Sequence, residues 1–221
     1  RMALKVIENG GFISYKTESD GSKSPYELNI TWYSAINSPD KRESDELQVK
    51  RYLASRAIAL VLMGVPGIYL HGLLGSKNDA EAVIEDEETR SINRKNLNRR
   101  ELIRALLDPD TTTYKVSYQL ANLIMIRTHQ KAFHPNSDQQ VIEAGDGFFT
   151  VLRTSDNRKE IILAIINCTN QKKVFKLDKS ELGISIDRWV DVISREIMKF
   201  PDSYIRFTVD PYGIHWLKNS Q

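Results

Sequence analysis

The sequence predicts a parallel α/β half followed by an antiparallel all-β half. A helical pattern from Leu47 to Met63 passes through a tight turn at Gly64 into the apolar run Val65-Pro66-Gly67-Ile68-Tyr69-Leu70, the helix, turn, strand order of parallel sheets. Beyond Pro135 the apolar runs are short and closely spaced, with Asp-Gly, Ser-Asp-Asn, Thr-Asn-Gln and Asp-Pro turns between them, as in an antiparallel sheet or sandwich.

Taken in order, Gly10 to Asn37 is rich in Gly, Ser, Asp and Tyr and reads as a long loop with a short hairpin, the kind of connection that usually carries function. Leu47, Tyr52, Leu53, Ile58, Leu60, Val61 and Leu62 are first at helical spacing and then apolar all round, so this helix enters the interior. Val65 to Leu70 reads as a short buried strand. His71 to Arg100 is polar, and its acidic run Glu85-Asp86-Glu87-Glu88 reads as a solvated face. Tyr114 to His129 is a second helix, with Thr111 to Thr113 available as caps. Strands are expected over Phe148 to Thr154, Ile161 to Asn167, Lys173 to Leu177, Arg188 to Ser194, Tyr204 to Val209 and Ile214 to Leu217. Pro135-Asn136 marks the boundary, giving domains 1–134 and 135–221.

Composition narrows the function. With 31 basic against 29 acidic side chains, the net charge of +2 offers no concentrated basic surface for nucleic acid or an anionic membrane. The most apolar stretch, Ala54 to Met63, is interrupted by Ser55 and Arg56 and is too short to cross a bilayer. Cys168 has no second cysteine to pair with and reads as a small buried side chain after the run Ile161 to Ile166. These residues contain no leader, so a soluble, cytoplasmic protein is expected. The opening Arg1-Met2-Ala3-Leu4-Lys5-Val6 nevertheless reads like the interior of a helix, which leaves a leader further upstream open. His71, His129, His134 and His215 lack metal-ligand spacing, and no Gly-rich phosphate loop or dinucleotide fingerprint is present, so neither metal nor cofactor is expected. Trp32, Trp189 and Trp216 read as core residues, with sugar-stacking platforms as the alternative.

Five phrases then stand in one order: Gly10-Gly11-Phe12-Ile13-Ser14-Tyr15-Lys16, Ser24-Pro25-Tyr26-Glu27-Leu28-Asn29, Gly64-Val65-Pro66-Gly67-Ile68-Tyr69, Gly75-Ser76-Lys77-Asn78-Asp79 and Arg90-Ser91-Ile92-Asn93-Arg94. Together with the closing Pro211-Tyr212-Gly213-Ile214-His215-Trp216-Leu217, they resemble the sucrose-phosphorylase-like subfamily of glycoside hydrolase family 13, the alpha-amylase superfamily. The resemblance implies the carboxy-terminal part of a (β/α)8 barrel, with its last strand, flanking helices and long loops, followed by a small antiparallel β domain. It implies a parent enzyme that moves the glucosyl group of an α-glucoside to inorganic phosphate with retention, using a carboxylate nucleophile and an acid/base carboxyl. Those two groups and a third, sugar-binding carboxylate are expected upstream of residue 1. The chain alone is therefore expected to be catalytically incomplete, and the exposed side of a partial barrel would favour self-association.

Within the chain, the resemblance places substrate-binding roles on Arg90, Tyr26, Glu27 and Asn29. Arg90 matches the arginine that holds glucosyl hydroxyls, its alternative being a surface charge balancing Glu85 to Glu88. Tyr26, Glu27 and Asn29 fall on the loop that shapes the acceptor and phosphate site. Sucrose-specific members carry glutamine where Glu27 stands, and a carboxylate there calls for a compensating cation, for which Lys16, Lys23 and Lys77 are candidates. His71 follows the expected barrel strand, where it either faces the pocket or serves as a satisfied structural histidine. Glu27, Asp79, Glu81 and Asp86 are acidic residues whose spacing does not set any two of them across a sugar. An amylase-like hydrolase or transglucosidase, and a non-catalytic carbohydrate-binding or interaction domain, remain as alternatives.

Overall fold

The computed structural model describes residues 1–39 and 43–220. In chain order the elements are α1 (Met2–Glu8), the strands β1 (Phe12–Thr17) and β2 (Lys23–Asn29), α2 (Trp32–Ile36), α3 (Asp45–Val61), α4 (Leu70–Leu73), α5 (Ala80–Asp86), a 3-10 turn (Thr89–Asn93), α6 (Arg99–Leu107) and α7 (Thr112–Thr128). The strands β3 (Asp138–Ile142), β4 (Phe148–Thr154), β5 (Ile161–Asn167), β6 (Lys173–Asp178), β7 (Arg188–Asp191), β8 (Ile197–Lys199), β9 (Tyr204–Val209) and β10 (Ile214–Asn219) follow. They form two compact units, Arg1–Gln48 with Ile68–Tyr118 and Val49–Gly67 with Gln119–Gln221.

In the first unit the segment expected to be mainly loop is an antiparallel hairpin, β1 with β2, closed by a turn in which Asp20 accepts from Ser22 and Gly21 takes φ +84°. Gly11 is fixed by packing: a Cβ there would stand 2.7 Å from Val6 Cγ1 and 2.9 Å from the Asn29 carbonyl oxygen. Asn78 ties the hairpin's base together. Its Nδ2 donates to the carbonyls of Asn9 and Gly10 at 3.3 and 3.2 Å, and its Oδ1 accepts from Thr31 N at 2.9 Å. Thr31 in turn caps α2 by accepting from Ser34 N. The helix expected from Tyr114 begins two residues earlier, with Thr111 Oγ1 accepting from Tyr114 N at 3.1 Å as its cap.

In the second unit, the described residues form an antiparallel sheet of order β3-β4-β5-β10-β7-β8 and a two-stranded sheet of β6 with β9. One face of the larger sheet, with Leu152, Leu163, Ile165 and Leu217, packs against Phe175, Leu177, Ile205 and Val209 of the smaller. The opposite face carries Val151, Ile162, Ala164 and Trp216, all fully buried, and the Trp216 ring meets Phe133 edge-on at 5.0 Å. β5 is thus covered on both faces, which is why its sequence is continuously apolar rather than alternating.

Several expectations change. Val65 to Tyr69 carries no strand ladder, and Leu70 opens the short helix α4. A strand exists through its neighbours, and among the described residues none pairs with this segment; Val65 is 84% exposed rather than buried. Trp32 is exposed: it opens the five-residue α2, whose neighbouring Tyr33 takes the buried position. Cys168 is exposed too, because it lies one residue beyond the end of β5. Neighbouring atoms still desolvate its thiol and push its pKa up, which makes it a weak nucleophile. The helix α6 and the strands β3 and β8 were not expected. Trp189 and Trp216 are buried as expected, and Glu85 to Glu88 are exposed. No described helix is long and apolar enough to cross a membrane.

Candidate functional site

The hairpin and the 3-10 turn bring four of the expected site residues into one group. In β2 the register slips: Glu27 lies opposite Ser14, but Pro25 lies opposite Tyr15, so Tyr26 is the extra residue of a β-bulge. Pro25 explains the slip, since it has no N–H to give to a ladder and is tolerated at bulges. The bulge leaves Tyr26 67% exposed.

Across from the bulge, Arg90 Nε donates to Glu27 Oε2 at 2.6 Å. The Glu27 carboxylate pushes the Arg90 pKa above its already high value, first through this hydrogen bond and then through charge, with smaller contributions from Glu88 and Tyr26. Both side chains remain partly accessible, at 41% for Arg90 and 33% for Glu27. The cation compensating Glu27 is therefore Arg90 and none of the expected lysines. Lys16 pairs with Glu18 at 3.0 Å, and Lys77 stands over the Tyr33 ring at 5.9 Å.

Asn29 lies beneath this pair and is fully buried. Its Nδ2 donates to Ser14 Oγ at 2.8 Å and reaches Thr89 Oγ1 at 3.4 Å, and the two hydroxyls are themselves 3.4 Å apart. Adjacent residues of the 3-10 turn, Thr89 and Arg90, are thus each pinned to the hairpin. Ser14 and Thr89 were not singled out in the sequence, although Ser14 sits in the first family-like phrase and Thr89 directly precedes Arg90. Asn29 Oδ1 is buried with no partner among the described residues.

His71 belongs to a different local arrangement. It is the second residue of α4, its Nδ1 lies 3.1 Å from Ser76 Oγ, and it is 9% exposed. Burial pushes its pKa down, so the neutral imidazole is favoured. That geometry suits the structural reading of this residue. Two clefts open in the same unit, about 360 Å³ beside Gly75, Lys95, Asn98 and Thr112, and about 400 Å³ beside Asn9, Tyr33, Asn37 and Lys77. Neither is lined by Tyr26, Glu27, Asn29, His71 or Arg90.

Two of the remaining acids, Asp79 and Asp86, have structural partners. Asp79 caps α5 through Ala82 N at 3.3 Å and faces Lys95 at 3.6 Å, while Asp86 accepts from Ser91 Oγ at 2.6 Å. Among the described residues no group of three His, Cys, Asp or Glu side chains is arranged to hold a metal. The Glu27–Arg90 edge can bind hydroxyls.

No family model matches the chain. A protein of Spirochaeta thermophila named glucosylglycerate phosphorylase is 37% identical over 98% of the chain and 37% of its own length. One of the same name from Escherichia coli is 28% identical over 97% of the chain and 37% of its length. A sucrose phosphorylase of Streptococcus mutans is 25% identical over 78% and 32%. Thus the chain spans 37% of the length of the Spirochaeta protein, well under half. The crystal structure of sucrose 6F-phosphate phosphorylase from Thermoanaerobacter thermosaccharolyticum superposes with a TM-score of 0.61 at 22% identity, over 94% of this chain and 35% of that one. The alpha-amylase of Geobacillus thermoleovorans gives 0.64 at 13% identity, over 87% and 37%, a likeness of fold alone. By sequence and by fold, this chain is a sucrose-phosphorylase-like segment of glycoside hydrolase family 13.

Proposed function

We propose that the protein to which this segment belongs is a retaining α-glucosyl-transferring phosphorylase, which cleaves an α-glucoside with inorganic phosphate to give α-glucose 1-phosphate. The observation that carries the reading is the Arg90–Glu27 pair on the bulged hairpin, at the positions where the family resemblance puts glucosyl- and acceptor-binding residues. The names of the relatives, glucosylglycerate phosphorylase over nearly the whole chain, favour glycerate as the group released.

Retention requires two displacements at the anomeric carbon, with a carboxylate nucleophile and an acid/base carboxyl about 5 Å apart. In this reading both come from the part of the fold that the chain does not span, so residues 1–221 by themselves do not turn over substrate. Arg90 donates to the sugar's hydroxyls through its fixed fork, and Tyr26 offers an exposed ring at the rim of the acceptor side. Asn29 holds the hairpin to the 3-10 turn. His71 supports the loop after Leu70 from beneath. The division at residues 134 and 135 separates barrel from β domain, a cytoplasmic location fits the reading, and copies of the isolated segment associate through its exposed apolar side chains.

The test is product analysis of the intact protein with α-glucosylglycerate and with sucrose, with and without phosphate. Glucose 1-phosphate formed only when phosphate is present supports the reading. Free glucose formed at the same rate without phosphate would move the protein to the amylase-like hydrolases.

A further inference from the structure

Glu27 and Arg90 are joined in a way that leaves a specific set of groups free. Arg90 uses Nε, and among the described residues its Nη1 and Nη2 groups have no partner; Glu27 uses Oε2, and its Oε1 has none. A guanidinium is rigid and planar, so fixing Nε–H toward one acceptor fixes where its four Nη hydrogens point. The backbone beneath is held at both ends: Arg90 N donates to Glu88 Oε1 at 3.4 Å, and Thr89 is tied to Asn29 and Ser14. A partly exposed ion pair of this kind adds little to stability, so its geometry is the feature to explain.

We propose that Glu27 is a positioning residue for Arg90. By taking Nε it aims the Nη donors at the ligand, and its free Oε1 accepts a hydrogen from a neighbouring hydroxyl. The two side chains then act as one neutral edge for a vicinal diol, whose oxygens accept from Arg90 and one of whose hydrogens goes to Glu27. Each hydroxyl of a diol both donates and accepts, and the edge offers both functions side by side. A neutral edge suits an uncharged sugar. An unpaired Arg90 would suit an anion. The bulge at Tyr26 is what allows this, because it sets the register at which Glu27 stands opposite Ser14 and faces the 3-10 turn.

This inference rests on the functional reading above, and the experiment separates the two. In the intact protein, phosphorolysis of α-glucosylglycerate is measured for wild type, Glu27→Ala, Arg90→Ala, the double variant and Glu27→Gln. Glu27→Ala should raise KM for the glucoside about tenfold, with KM for phosphate unchanged or lower. Because Glu27 acts in part through Arg90, the loss in the double variant should be clearly smaller than the product of the two single losses. Glu27→Gln, whose amide oxygen can still accept from Nε, should recover part of the loss. Losses that multiply in the double variant, or a Glu27→Gln as poor as Glu27→Ala, would overturn the proposal while leaving the phosphorylase reading standing. A wild-type protein that makes no glucose 1-phosphate would remove that reading and this proposal with it.

Discussion

Arg153 Nη1 donates to the carbonyl of Val61 at 2.7 Å, so an arginine near the end of β4 caps the carboxy-terminal end of α3. The side chain is fully buried, and its other donors reach the carbonyls of Asp138, His134 and Ser137. Arg127 adds a second guanidinium, donating to Leu60 O at 2.7 Å and Gly64 O at 3.3 Å. Carbonyl dipoles and the negative end of the helix compensate the two cations. Burial lowers the pKa of both arginines, and the Arg127 charge lowers that of Arg153 further.

Arg153→Met should therefore destabilise the second unit by about 3 kcal/mol or more, since several buried carbonyls lose their donor at once. Chemical denaturation monitored by tryptophan fluorescence checks this, because Trp189 and Trp216 are both buried in that unit. A loss under about 0.5 kcal/mol, the size expected of an ordinary surface substitution, would contradict it.

Asn29→Ala removes the shared donor for Ser14 and Thr89. The expected loss is about 1–3 kcal/mol in the first unit, from half-buried hydroxyls left without their partner. Amide exchange would show it as faster exchange along β1 and β2 than in β4 and β5.

Gly11→Ala tests packing rather than backbone freedom. The new methyl would meet Val6 and the Asn29 carbonyl at under 3 Å, closer than carbon atoms tolerate, so a loss of about 1–3 kcal/mol is expected. Gly21→Ala is a control of a different kind, with nothing within 4 Å of the added Cβ but a φ of +84°, which strains the backbone alone.

His71 gives the first unit a pH dependence. Its folded pKa lies below the ordinary value of 6.5, so between the two values the unfolded chain binds more protons than the folded one. The contribution is fully present above about pH 6.5 and is lost as pH falls toward the folded pKa. Thermal unfolding at pH 5 should come earlier than at pH 7.5, and His71→Gln should narrow the gap. An unchanged gap in that variant would contradict the assignment.

How much of this was legible from sequence follows from range. Strands β4, β5 and β9 were bounded correctly, because each is a short run rich in β-branched and aromatic residues between turn residues and its signal is local. Val65 to Tyr69 has the same local signal, but strand identity there depends on neighbours, and no described residue supplies them. The α6 helix left a readable sign that composition masked: Asn98 accepts from Arg100 N and Glu101 N, a cap ahead of a mostly charged turn. At the site, Tyr26, Glu27, Asn29 and Arg90 could be named from the family phrases. That Glu27 and Arg90 bond to each other could not, since 63 residues separate them and only the bulge at Tyr26 and the fold of the 3-10 turn bring them together.

The central claim is that this surface belongs to a phosphorylase that transfers an α-glucosyl group with retention. Proton and phosphorus NMR of the intact protein acting on α-glucosylglycerate in phosphate, read at early times before any anomer can interconvert, tests it most directly. The account predicts α-glucose 1-phosphate and glycerate appearing together in equal amounts. The β anomer, or glucose accumulating in place of its phosphate, would contradict it.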